Sequence, residues 1–415
     1  MSEHSPHSGE AQLPAPGERL AALDLLRGVA ILGILPMNIL TFALVPAAYQ
    51  NPLAMGPISA SDWWAWRLTH LFFDQKFMTL FAVLFGAGIV LLDARPPRVG
   101  ISATARFYRR MAWLLVIGLL HAYGLWHGDI LATYAVCAMI VFPMRRLRTP
   151  LLSAIAAVLL IVPLVIGLLL HLAFASLNAE ELAPIVASWS PSDAEVRATI
   201  AAFSGSWSEQ LPERAINAVV MQTLVFTTWS LWRVVALMLL GIVLLRCGFL
   251  QATWSLPRYL ACAVSGFALG TAITGWGLLR NEAIDYAAID AMTIGGMFNY
   301  LGSLFGAFGW ASLVLALPRL GFPEGFAVSL EGVGRTSLSN YLLQTVLCGA
   351  IFFGHGLGWF GVVDRTMLLV IVALVWVVQI EVTHIWLRRF DLGPVEWAWR
   401  SLAAWKRLPL RSQVS

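Results

Sequence analysis

Apolar runs long enough to cross a lipid bilayer recur along this chain from Leu25 to its C-terminal region. A hydrocarbon core about 30 Å thick is crossed by a helix of roughly 20 apolar residues. Hydrophobic residues make up 59% of the chain and charged residues 12%, whereas soluble domains carry roughly 25% charged residues. The sequence therefore predicts an all-α, polytopic integral membrane helix bundle.

About ten spanning segments are predicted from the positions of these runs. In chain order they are 23–44, 71–92, 108–126, 130–144, 151–175, 223–245, 256–278, 291–317, 338–353 and 362–387. The fourth and ninth are short for a crossing, so nine or eleven crossings are alternatives.

Lysine and arginine residues are distributed unevenly between alternate loops. With the N-terminus inside, the outer loops carry only five of the 27, namely Arg67, Arg197, Arg214, Arg280 and Arg365. The positive-inside rule then predicts that both termini are cytoplasmic. This distribution also explains the pI near 9.0. The lipid bilayer is the expected partner, and a nucleic acid is not.

Three parts of the chain differ in composition. Residues 1–18 are polar and rich in Pro and Ser, which predicts a disordered cytoplasmic tail. Residues 19–390 form the transmembrane helical domain. In 391–415, tryptophans alternate with charges after a proline, which predicts a cytoplasmic interfacial amphipathic helix and tail.

Small residues and cysteines within the apolar runs have structural interpretations. Gly266 with Gly270, and Gly302 with Gly306, form GxxxG pairs that predict close helix contacts. The four cysteines lie in apolar segments without CxxC spacing, so neither a disulfide framework nor a metal site is expected. No tightly bound cofactor is expected either.

The segment 111–144 reads MAWLLVIGLLHAYGLWHGDILATYAVCAMIVFPM and predicts two helices joined at a Gly-Asp corner. It places His121, His127 and Asp129 toward the outer surface, where an ionisable group costs several kcal/mol unless it is paired or hydrated. His121 is a candidate general base, with a satisfied structural histidine as the alternative. Asp129 is a candidate orienting acid, with an N-cap of the following helix as the alternative.

Four arginines toward the cytoplasmic ends are candidates for binding an anionic donor. They are Arg27, Arg109, Arg110 and Arg335. Arg27 lies three residues after Asp24, so these two side chains can instead neutralise each other. The alternative for Arg109, Arg110 and Arg335 is that they determine topology and bind no ligand.

Further polar residues interrupt the apolar helices and are candidates for contacting a substrate. They are Lys76, Arg233, Asn340 and Gln344. Lys76 can instead snorkel to the outer surface. Asn340 and Gln344, at i and i+4, can instead join helices by hydrogen bonds. The number of charges in one bundle indicates a hydrated cavity.

Five motifs, in order along the chain, resemble the YeiB-like family of bacterial multi-pass membrane proteins. They are LDLLRGVAILGILPMNI, KFMTLFAVLFGAG, GLLHAYGLWHGDILATYA, GRTSLSNYLLQT and FDLGPVEWAWR, and they cover the chain from about residue 19 to about residue 405. The resemblance implies a membrane bundle of the kind predicted from the apolar runs.

That family is distantly similar to transmembrane acyltransferases, including the heparan-glucosaminide N-acetyltransferase group and bacterial O-acyltransferases. The similarity is clearest at Arg27 and Asn38 in the first segment. The O-acyltransferases resemble this pattern with histidine at the second position, whereas the heparan-type branch resembles it with asparagine. The heparan-type histidine before the second helix is not matched, since Trp63 and Trp64 lie there and His70 is the nearest imidazole.

The resemblance implies an acyltransferase with acyl-CoA as co-substrate. The four arginines would hold the donor phosphates, and His121 would be the base, oriented by Asp129. Asn38 cannot act as a base but can donate a hydrogen bond to a developing oxyanion. The acceptor implied is an extracytoplasmic glycan or a lipid-linked molecule.

Two other functions compete with acyl transfer. One is a transporter or flippase for a small metabolite or lipid, with His121, Asp129, Lys76 and Arg233 along its path. The other is a non-catalytic membrane subunit. A sealed, dry bundle between Arg27 and His121, with no polar tunnel joining them, would contradict transfer across the membrane.

Overall fold

The computed structural model describes residues 20–94 and 102–411, and within these ranges the regular structure is helical. The helices are α1 (Ala21–Gly33), α2 (Leu35–Ala43), α3 (Ala60–Phe72), α4 (Lys76–Asp93), α5 (Ala103–Gly124), α6 (Leu131–Met144), α7 (Thr149–Ala175), α8 (Ala179–Trp189), α9 (Asp193–Ser204), α10 (Leu211–Val220), α11 (Leu231–Arg246), α12 (Leu256–Ala283), α13 (Ala288–Asp290), α14 (Gly296–Ala316), α15 (Glu324–Arg335), α16 (Ser337–Phe352), α17 (Arg365–Leu387) and α18 (Pro394–Ala404). The predicted tail, residues 1–18, lies outside the described residues.

Each predicted spanning segment coincides with helix. Among the described residues, seven helical stretches are long and apolar enough to cross a membrane, and α6 and α16 are shorter apolar helices. The remaining predicted segment corresponds to α5, which has 22 residues and begins with an arginine-bearing turn. The prediction of an all-α polytopic membrane bundle is confirmed.

The first two helices form the centre of the bundle. In the stretch Ala21–Ala43, 78% of the apolar window is buried, whereas the figure for α7 is 17%. Apolar side chains of α7 such as Val158, Leu169 and Leu172 are exposed. That exposure fits a peripheral helix whose outer face contacts lipid.

The predicted first segment is a kinked helix pair, and Pro36 explains the kink. Proline has no backbone N–H, so the carbonyl of Leu32, four residues earlier, loses its helical partner. The indole Nε1 of Trp376 on α17 donates to that carbonyl at 2.9 Å. A backbone group freed inside an apolar bundle is thus satisfied by a neighbouring helix.

Two helix pairs approach closely through glycines. On α12 and α14, a β carbon at Gly266 would lie 2.7 Å from the backbone nitrogen of Gly309, and one at Gly270 would lie 2.6 Å from that of Gly306. The close contact predicted from the GxxxG pairs is confirmed. On α1 and α15, a β carbon at Gly334 would overlap the carbonyl oxygen of Asp24 and lie 2.8 Å from the nitrogen of Gly28.

The C-terminal helix α18 is joined to the bundle by hydrogen bonds of Glu396 and Trp399. The Glu396 carboxylate is buried and accepts hydrogen bonds from the backbone N–H groups of Leu338 (2.7 Å) and Ser339 (3.1 Å), and also from the Ser339 hydroxyl. It therefore caps the start of α16. Trp399 donates from Nε1 to the carbonyl of Arg110 at 2.8 Å. Through these contacts α18 packs against α16 and α5 as part of the bundle.

Candidate functional site

His121 and Asp129 form a buried pair at the corner between α5 and α6. The distance between His121 Nδ1 and Asp129 Oδ1 is 2.8 Å, and each side chain is only 1% exposed. The second carboxylate oxygen, Oδ2, accepts the backbone N–H of Ala132 at 2.8 Å. The orienting role and the capping role considered for Asp129 are therefore filled by different oxygens of one carboxylate.

Glycines explain why these two side chains meet. A β carbon at Gly118, one turn before His121, would overlap the backbone nitrogen of Ala132 and lie 2.9 Å from Asp129 Oδ2. A β carbon at Gly128 would overlap the Trp126 ring. Without side chains at these positions, the start of α6 can approach α5 closely.

The other ring nitrogen of His121 contacts Thr345 on α16. The distance from His121 Nε2 to Thr345 Oγ1 is 2.9 Å. Because an ionised Asp129 can only accept, the proton of a neutral imidazole belongs on Nδ1, and Nε2 accepts from the Thr345 hydroxyl. An acid, an imidazole and a hydroxyl are thus arranged in sequence, as in a nucleophile activated by a base. Thr345 ends the GRTSLSNYLLQT motif but was not singled out from the sequence.

A cavity of about 470 Å³ extends from the end of the bundle that carries both described chain ends toward this pair. Its mouth is defined here by six charged residues. They are Asp24, Arg27, Arg110, Arg335, Glu396 and Arg400. Its floor includes Ile130 and Tyr341. The ring centroids of Tyr341 and His121 are 5.1 Å apart, so one aromatic ring separates the cavity from the pair.

The close crossing of α1 and α15 brings two arginines to the mouth. Gly28 and Gly334 touch at that crossing, and each is adjacent in sequence to an arginine, Arg27 or Arg335. Arg27 forms a 3.2 Å ion pair with Asp24. The neutralising pair considered from the sequence is therefore present, within the cavity mouth. The other two mouth arginines are Arg110 and Arg400.

Arg109 and Arg110, adjacent in sequence, have different surroundings. The Arg110 guanidinium lies 4.1 Å from the centroid of the Trp399 ring and lines the cavity. Arg109 packs 5.5 Å from the Trp405 ring centroid and does not line the cavity. Successive helical residues point about 100° apart, which explains the difference. Arg400 and Glu396 belong to the mouth and were not predicted, although FDLGPVEWAWR contains both.

The opposite side of the pair is closed by aromatic rings. Trp126 lies 6.1 Å from the His121 ring centroid and stacks on Phe42 at 4.4 Å. Phe42 contacts Phe353 at 5.9 Å, which in turn contacts Phe203 of α9 at 5.5 Å. We call these four residues the aromatic plug. Buried Trp126 Nε1 has no hydrogen-bond partner among the described residues, so a donor beside His121 is available.

Asn38 is half-buried on α2 and does not line the cavity. Within the described ranges, no hydrogen bond joins its side chain to His121 or Asp129. Its predicted role at an oxyanion therefore gains no support from the geometry.

Lys76 and Arg233 occupy a separate buried network. Lys76 is 1% exposed, and its Nζ donates to the His70 carbonyl at 2.7 Å and to Asn299 Oδ1 at 2.9 Å. The snorkelling interpretation of Lys76 is wrong because the ammonium is held inside the bundle. Arg233 is fully buried and donates to the hydroxyls of Thr79 (2.9 Å) and Ser303 (2.7 Å). Neither cation lines the cavity.

Asn340 and Gln344 join three helices. Asn340 Nδ2 donates to Thr383 Oγ1 on α17 at 2.9 Å. Gln344 Nε2 donates to the carbonyl of Ile31 at 2.8 Å and to Gln379 Oε1 at 3.0 Å. These bonds support the alternative in which both residues hold helices together, and neither side chain lines the cavity.

His70, the imidazole nearest the expected position of the heparan-type histidine, is buried with both ring nitrogens beside backbone carbonyls. Its Nδ1 lies 3.0 Å from the Trp66 carbonyl and its Nε2 lies 3.1 Å from the Tyr49 carbonyl. Its ring centroid is 3.4 Å from that of Trp66. It belongs to a different part of the bundle from the His121 pair.

His127, in the connection between α5 and α6, provides a pH-dependent stability. Burial and, secondarily, the Arg214 guanidinium lower the pKa of His127 to about 4 from its ordinary 6.5. Between pH 6.5 and 4 the unfolded chain therefore binds a proton at this histidine that the folded chain excludes. The free energy of unfolding falls as the pH drops through this interval. We expect His127→Gln to flatten the decline of the thermal midpoint over this interval, relative to the exposed control His384→Gln. Equal slopes for the two variants would contradict the burial argument.

Together, the fold and the buried pair define a polytopic helical membrane protein with an internal polar site beneath a cavity. Residues 244–406 match the family model described as Protein of unknown function (DUF418). No solved structure matches the chain.

Three similar proteins align along nearly the whole chain. Uncharacterized protein YeiB of Escherichia coli (strain K12) is 34% identical over 404 residues, covering 96% of this chain and 100% of that protein. Uncharacterized protein YxaH of Bacillus subtilis (strain 168) is 27% identical over 417 residues, covering 96% and 98%. An uncharacterized 39.9 kDa protein in the amylase 3′ region of Bacillus acidopullulyticus is 23% identical over 397 residues, covering 95% and 96%. The chain belongs to the YeiB-like family.

Proposed function

We propose that this protein is a membrane acyltransferase that uses an acyl-CoA donor. One observation carries the proposal: a cavity with arginines at its mouth ends one aromatic ring away from a carboxylate–imidazole pair. A transferase needs a binding site for a polyanionic carrier and a base near the reacting carbonyl. This cavity and this pair supply groups of both kinds.

The two ends of the cavity suit the two ends of an acyl-CoA. The mouth has four arginines and two carboxylates, so its formal charge favours phosphates. The interior beyond it is lined by aromatic and aliphatic side chains such as Phe81, Phe107 and Leu114. Its volume, about 470 Å³, is within the range of roughly 300–1,000 Å³ that is usual for ligand pockets. We infer that the pantetheine arm and acyl group enter while the phosphates stay at the mouth.

His121 would act as the general base and Asp129 would orient it. Asp129 accepts from Nδ1, which leaves Nε2 as the basic nitrogen facing Thr345. Trp126 Nε1, a donor without a partner among the described residues, can bind an oxygen of the substrate. In this arrangement the base is supplied by α5, and Asn38 is not required as a base.

We propose a bacterial inner-membrane location with both termini in the cytoplasm. The uneven distribution of arginine between the loops supports this orientation. The cavity mouth then opens toward cytosolic acyl-CoA. The acceptor, an extracytoplasmic glycan or lipid-linked molecule, would approach from the side of the aromatic plug. That approach requires the plug to move.

The adjacent arginines of α5 give a matched test of donor binding. We expect Arg110→Gln to weaken binding of acetyl-CoA or octanoyl-CoA by at least about tenfold, since a hydrogen bond to a charged group contributes about 1.5–3 kcal/mol. Arg109→Gln should leave binding unchanged because Arg109 lies outside the cavity. Equilibrium binding to the purified full-length protein in lipid nanodiscs measures both. Equal affinity of the two variants and the wild type would contradict the proposed donor site.

The transporter alternative predicts a different result. Its path would include Lys76 and Arg233, whose donors bind internal acceptors away from the cavity. Flux of a substrate in proteoliposomes without a covalent product, unaffected by Arg110→Gln, would favour transport over acyl transfer.

A further inference from the structure

We propose that Thr345 is a nucleophile that carries the acyl group as an ester between donor and acceptor. This inference rests on the proposed acyl transfer and assigns it a covalent intermediate. It depends on three features of the molecule: the direction of the Thr345 hydroxyl, the position of the cavity and the closure of the opposite side.

The Thr345 hydroxyl contacts His121 more closely than it contacts its own helix. Threonine within a helix usually donates to the carbonyl four residues earlier. Thr69 on α3 and Thr199 on α9 do so at 2.8 and 2.9 Å. For Thr345 the corresponding distance, to the Tyr341 carbonyl, is 3.5 Å, whereas His121 Nε2 is 2.9 Å away. The hydroxyl proton is thus directed at a nitrogen that can accept it.

The cavity ends one helical turn from this hydroxyl. Tyr341 forms part of its floor and precedes Thr345 by four residues on α16. Among the described residues, the Tyr341 hydroxyl makes only two hydrogen bonds, both long: 3.3 Å to the Gly128 carbonyl and 3.3 Å to the Ile130 nitrogen. Such long hydrogen bonds are weak, so rotation of this one ring gives a thioester carbonyl in the cavity access to Thr345.

Closure of the opposite side favours a covalent relay over direct transfer. The cavity opens at the end that carries both described chain ends, whereas the aromatic plug covers the other side of His121. A donor and an acceptor that arrive from opposite sides do not share one chamber. An ester on Thr345 keeps the acyl group in place while the first product leaves and the acceptor enters.

The reaction balances in two steps without an oxidant or reductant. Thr345 Oγ1 attacks the thioester carbonyl carbon while His121 Nε2 takes the hydroxyl proton. The tetrahedral intermediate collapses, the carbon–sulfur bond breaks, and the proton on Nε2 passes to the departing CoA sulfur. A hydroxyl or amine of the acceptor then attacks the ester, its proton passes through His121, and the Thr345 hydroxyl is regenerated.

The test is mass spectrometry of the purified full-length protein after exposure to two acyl donors. Octanoyl-CoA requires the proposed donor site, whereas p-nitrophenyl octanoate requires only an activated hydroxyl. We expect an octanoyl ester on Thr345 that hydroxylamine removes. Its yield should fall about 100-fold in His121→Gln, the lower end of what loss of a positioned base costs. In Thr345→Val no ester should form at position 345, because valine has no hydroxyl. Thr345→Ser should retain it.

Thr274→Val is the matched control. Thr274 is also buried in a helix, but its hydroxyl has no hydrogen-bond partner among the described residues. Its loss should leave labelling of Thr345 unchanged, so a general effect of replacing a buried hydroxyl is separated from loss of the nucleophile.

The possible results separate this inference from the proposed function. Labelling of Thr345 by both donors supports the nucleophile and also the proposed acyl-CoA donor. Labelling of Thr345 by the nitrophenyl ester alone supports the nucleophile and overturns the acyl-CoA assignment. Transfer from acyl-CoA that persists in Thr345→Val overturns the nucleophile and leaves the proposed function intact. Absence of any ester on Thr345 with either donor overturns the nucleophile.

Discussion

Replacing His121 with glutamine is expected to lower the rate of acyl transfer by about 10²- to 10⁴-fold, the usual contribution of a positioned general base. Glutamine keeps a polar group at the site but has no nitrogen that can take a proton at neutral pH. The buried Asp129 carboxylate would keep its bond from the Ala132 N–H. Turnover of acyl-CoA by the purified protein in nanodiscs measures the effect.

The matched control for this substitution is His171→Gln. His171 on α7 also contacts a threonine on another part of the bundle, with 3.0 Å between Nδ1 and Thr293 Oγ1. It lies outside the cavity lining. We expect its replacement to leave the transfer rate unchanged. If both variants keep full activity at normal stability, His121 is a structural histidine and the proposed base is wrong.

Replacing Gly334 with alanine is expected to destabilise the protein by about 3 kcal/mol or more, the upper end of the range for overpacking. The added β carbon would overlap the Asp24 carbonyl oxygen at the crossing of α1 and α15. Backbone atoms cannot rotate away as a side chain can, so the helices must separate. Because Arg27 and Arg335 flank this crossing, donor affinity should fall as well.

Gly325→Ala provides the control on the same helix. Nothing lies within 4 Å of a β carbon built at Gly325. Alanine has a higher helix propensity than glycine, so this variant should be unchanged or stabilised by up to about 1 kcal/mol. Denaturation of the purified protein in detergent compares the two. A Gly334→Ala variant as stable as the wild type would show that the close crossing is wrong.

The stability effect at Gly334 and the rate effect at His121 test different parts of the molecule. The first concerns the helix crossing that forms the cavity mouth, and the second concerns the pair beyond its floor. Tyr341 lies between the cavity and the His121 pair, so a variant of Tyr341 tests the boundary between these two parts. Tyr341→Phe keeps the ring that separates the cavity from His121 and removes only two long hydrogen bonds.

The positions of the apolar helices along the chain are the property that the sequence predicted best. Apolar runs and loop arginines report position along the membrane normal, since each residue pays its own transfer free energy. The ten predicted segments therefore coincide with helices, and His121 and Asp129 lie together as the hairpin predicts. That pair is only eight residues apart in the chain.

Lateral neighbours depended on packing between distant segments, which no local pattern encodes. Thr345 lies 224 residues from His121, and Asn299 lies 223 residues from Lys76. Lys76 has the long side chain of a residue that can snorkel. It stays inside because Asn299 on α14 accepts a hydrogen bond from its ammonium. Similarly, the rotation of α5 separates Arg110 from Arg109, although the two are adjacent in the chain.

The sequence by itself determined a helical membrane bundle, its approximate spans and the hairpin that carries His121 and Asp129, because hydrophobic transfer and short-range chain geometry act locally. Only the tertiary structure decided that the mouth arginines, the docked α18 helix and the Tyr341 floor form one cavity that leads to this pair. The physical reason is that glycine contacts such as Gly28 with Gly334 set which helix faces meet. The contact of Gly28 with Gly334 joins segments more than 300 residues apart.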